Sequence, residues 1–373
     1  MSEPRSTGAL DDIVVADFSR VLAGPYATML LGDLGAEVIK IERPGSGDDT
    51  RQWGPPHDSD GVATYFNSVN RNKRSVAIDL ATEDGRGEAF EIATRADVVI
   101  ENFRAGTMER LGLGYDAIRV VNPGVIYCSI TGFGRAEGAV LPGYDLLVQA
   151  VGGLMSVTGP DADTPTKAGV ALVDVLTGTH ALTGIPAALH HRDRTGEGQR
   201  VDLDLMSVML SSLVNQASAH LGAGVIPHAM GNRHPSIAPY EVFDTADRPI
   251  ALAVGNDRQF GLLAEEISAP ELTTDPRFAT NPARVAHREE LWEIVSGRLR
   301  TDTADSWFER LSARGVPAGP INDVSEALAF AEKFGLEPLV DVPGSATPQV
   351  RNPITLSRTP ATYRSAPPGL GSN

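Results

Sequence analysis

Cysteine is almost absent from this sequence: Cys128 is the only one in 373 residues. A single thiol excludes an intrachain disulfide and any cysteine-based metal cluster, and no metal site is expected. Basic residues are also in short supply, 32 Lys plus Arg against 48 Asp plus Glu, which leaves a formal charge of −16 at neutral pH. Sequence-independent binding to nucleic acid or to an anionic membrane needs a positive footprint, so neither is expected as a partner. No apolar run of about 18 residues is visible, and Met1 to Leu10 carries no apolar signal core; the expectation is a cytoplasmic protein. Glycine is missing where a dinucleotide would need it. Between Phe18 and Leu30 only Gly24 occurs, not the three spaced glycines that let a pyrophosphate approach a helix terminus. A Walker lysine, a His-Glu-x-x-His helix and a Gly-x-Ser-x-Gly elbow are lacking as well.

What is present is ordinary globular text, 42% hydrophobic and 21% charged, in a chain long enough for one large or two modest domains. The first half alternates strand and helix. Ile13 to Phe18 is a short β-branched run suited to a buried parallel strand, Gly24-Pro25 opens a helix to about Leu34, and Glu37 to Glu42 forms the next strand after Gly35. Strand-like runs recur at Ser75 to Leu80, Val98 to Glu101 and Val125 to Ile130, with helical text between them. Strands separated by helices predict a parallel sheet with helices on its faces.

Residues from about Ala168 to His191 read as one long helix of small apolar residues, and Arg200 to Leu205 as a further strand. From about Ala223 the text is richer in Pro, Gly and Asn, then gives a strand at Pro249 to Val254 and charged helices from Asp257 to Arg314. The division read from this is 1–222 for a large domain, 223–320 for a smaller one, and 321–373 for a return to the large domain, with strand-like pieces in Val340 to Thr355. No internal repeat or low-complexity tract is visible.

Asp174 stands out. It lies within Val170 to Leu176, and at helical spacing it shares a face with Gly178, Ala181 and Leu182. A carboxylate on so apolar a face is costly unless it is hydrogen-bonded or faces a cleft. One account is a structural aspartate capping amides near a helix start; the other is a functional group, with Gly178 one turn on allowing a ligand or another chain to come close. The basic residues of this acidic chain also recur at strand ends: Arg43, then Arg71, Lys73 and Arg74, then Arg104 and Arg110. Open α/β sheets bind ligands there, and such side chains suit phosphates.

Several stretches carry a resemblance. They are Asp17-Phe18 with Ala23-Gly24-Pro25, Gly35 to Pro44, Asn72 to Ser75, Glu101 to Gly106, Gly143-Tyr144-Asp145, Val173 to Gly178, Gly196 to Val201, Gly231-Asn232 and Gly315 to Pro320. With these the sequence resembles the family III CoA-transferases, which include formyl-CoA and carnitine-CoA transferases, from about Leu10 onward. The resemblance implies an α/β fold: a Rossmann-like parallel-sheet large domain formed by both chain ends, a smaller α+β domain, and two subunits interlocked as a homodimer. It also implies that Asp174 is the catalytic nucleophile, which attacks the thioester of an acyl-CoA donor and passes CoA to a small carboxylic acid through an aspartyl-CoA thioester. Val21, Arg43, Ile78, Asn102, Thr107 and Arg110 match positions lining the CoA site in the formyl-CoA branch, with Arg43 at the nucleotide phosphates, and Tyr144 matches a tyrosine near the reacting thioester. Coenzyme A is then a substrate, and no permanently bound cofactor is implied. Where the formyl-CoA branch has a run of glycines over its intermediate, this sequence has Gly231-Asn232-Arg233-His234-Pro235.

Two other functions stay open at this level. In α-methylacyl-CoA racemase, of the same superfamily, an aspartate at the place of Asp174 works with a histidine thirty residues earlier to remove and return an α-proton. Tyr144 occupies that earlier place, and a tyrosine of ordinary pKa near 10 is a poor base at neutral pH. A non-catalytic CoA-binding protein would keep the basic residues without needing Asp174.

Overall fold

The computed structural model describes residues 8–372. Six strands, β1 (Val14–Asp17), β2 (Glu37–Glu42), β3 (Lys73–Ala77), β4 (Val98–Glu101), β5 (Ile126–Thr131) and β6 (Arg200–Asp204), form a wholly parallel sheet in the order β3-β2-β1-β4-β5-β6. Every residue of β4 and β5 is buried, as sheets covered on both faces require. The order reverses direction between β1 and β4, and α/β sheets of this kind open a ligand crevice at the carboxyl ends of such a strand pair.

The helices around the sheet are α1 (Ala23–Asp33), α2 (Thr64–Asn67), α3 (Glu83–Arg95), α4 (Thr107–Arg110), α5 (Tyr115–Val121), α6 (Asp145–Val151), α7 (Leu172–Thr195), α8 (Leu205–Ser212) and α9 (Val214–Ala223). Helix α1 carries Pro25 in its first turn, where a missing N–H costs nothing, and Gly35 follows its end with φ +119°. Helix α7 starts at Leu172, four residues later than its apolar text predicts, so Asp174 falls in the first turn and not in the helix interior. By length and composition α7 is long and apolar enough to cross a membrane, with a mean hydropathy of 1.2 over its best window. That differs from the sequence reading because Asp174, Thr177, Thr179 and His180 interrupt the run while small apolar residues keep the average high. The helix's Val173, Ala181, Ile185 and Ala188 are buried in the same core as Ala27, Leu30 and Leu31 of α1. The expected strand at Ser75 to Leu80 is shifted to Lys73–Ala77, and the expected strands in Val340 to Thr355 shrink to β10 (Leu339–Val340) and β11 (Gln349–Val350).

The chain divides into two compact units. One comprises the chain to Leu154, Lys167–Val225 and everything from Glu337 onward, so both ends build the parallel-sheet unit. The other comprises Met155–Thr166 and Ile226–Leu336. It holds an antiparallel sheet of β7 (Tyr240–Phe243), β8 (Ile250–Ala253) and β9 (Ala318–Pro320), with helices α10 (Asp257–Glu266), α11 (Asn281–Ala286), α12 (Arg288–Leu299), α13 (Ala304–Ala313) and α14 (Val324–Lys333). This unit extends past residue 320 because Phe330 and Phe334, at the end of α14, pack on Phe308 of α13, with ring centroids 5.5 and 6.3 Å away. It recruits Met155–Thr166 through a backbone bond from Gly231 to Gly159, 2.9 Å.

The returning C-terminal segment is fastened by a buried polar cluster. Asp33, at the end of α1, accepts two hydrogen bonds from Arg71 (2.9 and 2.7 Å) and one from each of Asn72 and Asn352. Arg71 also donates to the carbonyl of Val350, and Asn72 to that of Thr362.

Candidate active site

The crevice at the β1–β4 reversal is built around the loop leaving β1. Asn102, just past β4, holds Arg20 by both backbone groups: its Oδ1 accepts from the Arg20 amide (2.8 Å) and its Nδ2 donates to the Arg20 carbonyl (2.7 Å). The next residue, Val21, sits at φ +68°, a left-handed conformation that a β-branched side chain resists. Its amide points to the carboxylate of Asp48 at 3.3 Å, and buried Lys40 donates both to Asp48 (2.9 Å) and to the Ser19 carbonyl (3.0 Å). Burial works against the charged form of Asp48, but Lys40 and the Thr50 amide outweigh it and hold the carboxylate below its ordinary pKa. A buried ion pair therefore fixes a strained loop at the mouth of the crevice.

Asp174 faces the same crevice from the first turn of α7. The amides of Val173 and Asp174 itself are taken by the carboxylate of Asp145, at 2.8 and 3.3 Å, and Gln149 holds the other Asp145 oxygen at 2.6 Å. Asp145 thus occupies the helix N-terminus, where a negative charge is favoured, and leaves the half-buried Asp174 carboxyl with no hydrogen-bond partner among the described residues. Burial, followed by the neighbouring charge of Asp145, pushes the Asp174 pKa up to about 7. The capping account of Asp174 is not what is observed; Asp145 is the cap. Gly178, one turn on, is needed because α1 approaches: a Cβ there would lie 2.6 Å from the Ala23 carbonyl oxygen.

Two cavities lie side by side across the strand ends. One, of about 190 Å³, is lined by Asp174 with Val21, Asn102, Arg104 and Tyr144. The other, of about 300 Å³, has an apolar wall of Phe18, Ile41, Ile78 and Leu80 with Arg43 at its rim and Lys40 and Asp48 at its floor. Arg20 and Phe103 line both. A carboxyl with no bound partner, raised into the neutral range beside an elongated, cation-rimmed crevice, is equipped for nucleophilic or acid–base chemistry on a long ligand.

The model of the family described as "CoA-transferase family III" matches residues 10–373. This chain belongs to CoA-transferase family III. A succinate–glutarate CoA-transferase of Agrobacterium fabrum is 43% identical over 379 residues, covering 99% of this chain and 95% of that protein. An acetyl-CoA:oxalate CoA-transferase of Acetobacter aceti is 39% identical, covering 94% and 90%. Among solved structures, a CaiB/BaiF family protein from Brucella suis superposes with a TM-score of 0.89 at 42% identity over 98% of this chain and 97% of that one.

In this CoA-transferase, five of the seven expected CoA-site residues line the paired cavities: Val21, Asn102 and Tyr144 the one with Asp174, Arg43 and Ile78 the other. Thr107 and Arg110 line neither. They begin and end α4, Arg110 donating to the Thr107 hydroxyl at 3.0 Å, next to Leu111 of the second cavity's wall. Arg43 is exposed and has no carboxylate partner among the described residues. The phosphate role suggested for the whole basic cluster fails for Arg71 and Lys73. Both are buried and paired, Arg71 with Asp33 and Lys73 with Asp17 at 3.2 Å, and burial pulls Lys73 down to about 8. The sequence reading missed Asp145 as the cap, Arg20 at the junction of the cavities, and Tyr65. The phenol of Tyr65 is pushed up to about 12 by burial and then by the charges of Asp174, Asp145 and Asp48. The only available signal was position, since Arg20 directly precedes Val21 and Asp145 directly follows Tyr144. The segment Gly231 to Pro235 lies in the smaller unit, where Gly231, Asn232 and Arg233 line a separate open cavity of about 640 Å³ with Trp292.

Proposed function

We propose that the enzyme moves CoA from an acyl-CoA donor to a small dicarboxylic acid, with Asp174 as the covalent nucleophile. The observation that carries this reading is the Asp174 carboxyl itself, half-buried, without a partner, and lining the cavity at the sheet's reversal point. Its ionised oxygen attacks the thioester carbonyl; the C–S bond breaks, CoA leaves as thiolate, and an aspartyl mixed anhydride remains. The thiolate then attacks the aspartyl carbonyl, releasing the donor's carboxylate and leaving an aspartyl-CoA thioester. The acceptor carboxylate attacks that thioester, whose C–S bond breaks to release the thiolate again and leave a second mixed anhydride. The thiolate then attacks the acceptor's carbonyl in that anhydride, forming the new acyl-CoA and expelling the Asp174 carboxylate. No net proton is taken up or released in this sequence of transfers. The exchange of CoA between two carboxylates is thereby split into easier acyl transfers. Val21, Asn102 and Tyr144 would hold the thioester end, while Arg43, Ile78, Thr107 and Arg110 would hold the nucleotide end. The names of the relatives support a dicarboxylate, and Arg104, without a carboxylate partner among the described residues, supplies a cation on the same cavity wall.

The test is trapping. Enzyme given succinyl-CoA without acceptor, then hydroxylamine, should yield one modified peptide, containing Asp174, and Asp174→Ala should yield none. The variant should also lose CoA transfer by several orders of magnitude while still binding CoA. Exchange of the substrate α-proton with deuterated water, without CoA transfer or trapping, would establish the racemase chemistry instead.

A further inference from the structure

The two cavities meet at Arg20, and this residue is built in an unusual way. Its backbone is clamped on both sides by Asn102, so the residue cannot leave the junction as a whole. Its guanidinium carbon lies over the Phe103 ring, 5.1 Å from the centroid, a cation–π contact that holds the head group near the ring. As a hydrogen-bond donor it is under-used. Among the described residues, Nη1 reaches only the exposed carboxylate of Asp49, at 3.3 Å, and Nε is shielded from solvent with no partner. A buried N–H without an acceptor costs free energy that a purely structural arginine would avoid. Among the described residues, Arg200 and Ser296 also carry such an atom, but neither lines either of these cavities.

We infer that Arg20 receives the diphosphate of the CoA thioester, exchanging Asp49 for phosphate oxygens when the ligand seats. This rests on the CoA-transfer reading. A CoA molecule with its nucleotide in the apolar cavity and its thioester at Asp174 must pass Arg20, and its strongest acceptors along that stretch are the diphosphate oxygens. A planar guanidinium fork matches such oxygens in a way that an ammonium does not. Asp49 is then a resting partner: its exposed ion pair with Arg20 is weak enough to be given up. Arg20 positions the substrate and takes no part in bond making.

The experiment compares succinyl-CoA with succinyl-pantetheine, which keeps the thioester and both amides but lacks the diphosphate, with glutarate as acceptor. Arg20→Ala should lower kcat/KM for succinyl-CoA by roughly 100-fold, mainly through KM, and leave the pantetheine thioester within about threefold. Arg20→Lys, which keeps the charge but not the fork, should fall between. Asp49→Asn should lower KM for succinyl-CoA and leave KM for succinyl-pantetheine unchanged. Equal losses on both substrates, no loss in Arg20→Ala, or an unchanged or raised KM for succinyl-CoA in Asp49→Asn would overturn the inference. A wild-type enzyme that transfers no CoA from succinyl-CoA would overturn the underlying reading instead.

Discussion

At the scale of single residues, Asp174 carries a conflict that the fold does not relieve. Its folded-state pKa, about 7, lies well above the 3.8 of an ordinary aspartate. The native state therefore binds the Asp174 proton more tightly than the unfolded chain does, and this group's stability contribution is lost as pH rises from about 4 towards 7. Under the proposed mechanism activity moves the other way, because a nucleophilic Asp174 must be ionised to attack a thioester. In a kcat/KM profile with succinyl-CoA, the rate should rise with pH through a midpoint near 7. Asp174→Asn should be inactive and, at pH 8, more stable to urea than wild type by on the order of 1–2 kcal/mol, with the difference vanishing near pH 4. Asp145→Asn keeps an oxygen for the Val173 amide but removes the like charge. Its rate profile should shift to lower pH yet stay above an ordinary aspartate, since burial is the larger cause. Asp174 could be singled out in the sequence because a carboxylate among small apolar residues violates helix patterning. Asp145 could not, because its partnership with α7 spans 28 residues and is set by how α6 docks.

At the scale of elements, the legible parts were those whose signals are local. β1, α1 and β2 are bounded by Gly24-Pro25 and Gly35, so their limits fall within a residue or two of the expectation. Arg71 and Lys73 were misjudged because their carboxylates, Asp33 and Asp17, lie 38 and 56 residues away and meet them only once the sheet has formed. Gly132 and Gly143 show a similar long-range demand. Their Cα atoms approach so closely that a Cβ on either would lie 2.4 Å from the other, and this contact places Tyr144 over the crevice. The β1–α1 loop gives the testable case. Val21→Gly removes the left-handed strain but adds freedom to the unfolded chain, so stability should change by no more than about 1 kcal/mol. The loop should nevertheless seat CoA less well and raise its KM several-fold in steady-state assays. An unchanged KM would show that the strain has no part in binding.

At the scale of the whole molecule, a large unit formed by both chain ends was an expectation drawn from the family resemblance, while the point where the smaller unit stops was not legible, because aromatic packing between α13 and α14 is not a periodic signal. Assembly remains a proposal. Leu210, Val214 and Leu221 on α8 and α9, the last 84% exposed, together with Val151 on α6, leave apolar surface on the parallel-sheet unit that a second copy would cover. Sedimentation at micromolar concentration should give a dimer, with an interface well above the ~1,600 Å² of a standard contact; a monomer would exclude the interlocked arrangement. Asp33→Ala would leave Arg71 buried and unpaired, and should cost about 3–5 kcal/mol in denaturant unfolding. That same cluster sets an order on synthesis. Asp33 and Asn72 leave the ribosome some three hundred residues before their respective partners Asn352 and Thr362. The parallel-sheet unit must wait, with its charged seam open, while the whole of the smaller unit is translated, so a nascent chain halted at Leu336 is the form of this protein most exposed to chaperones and proteases.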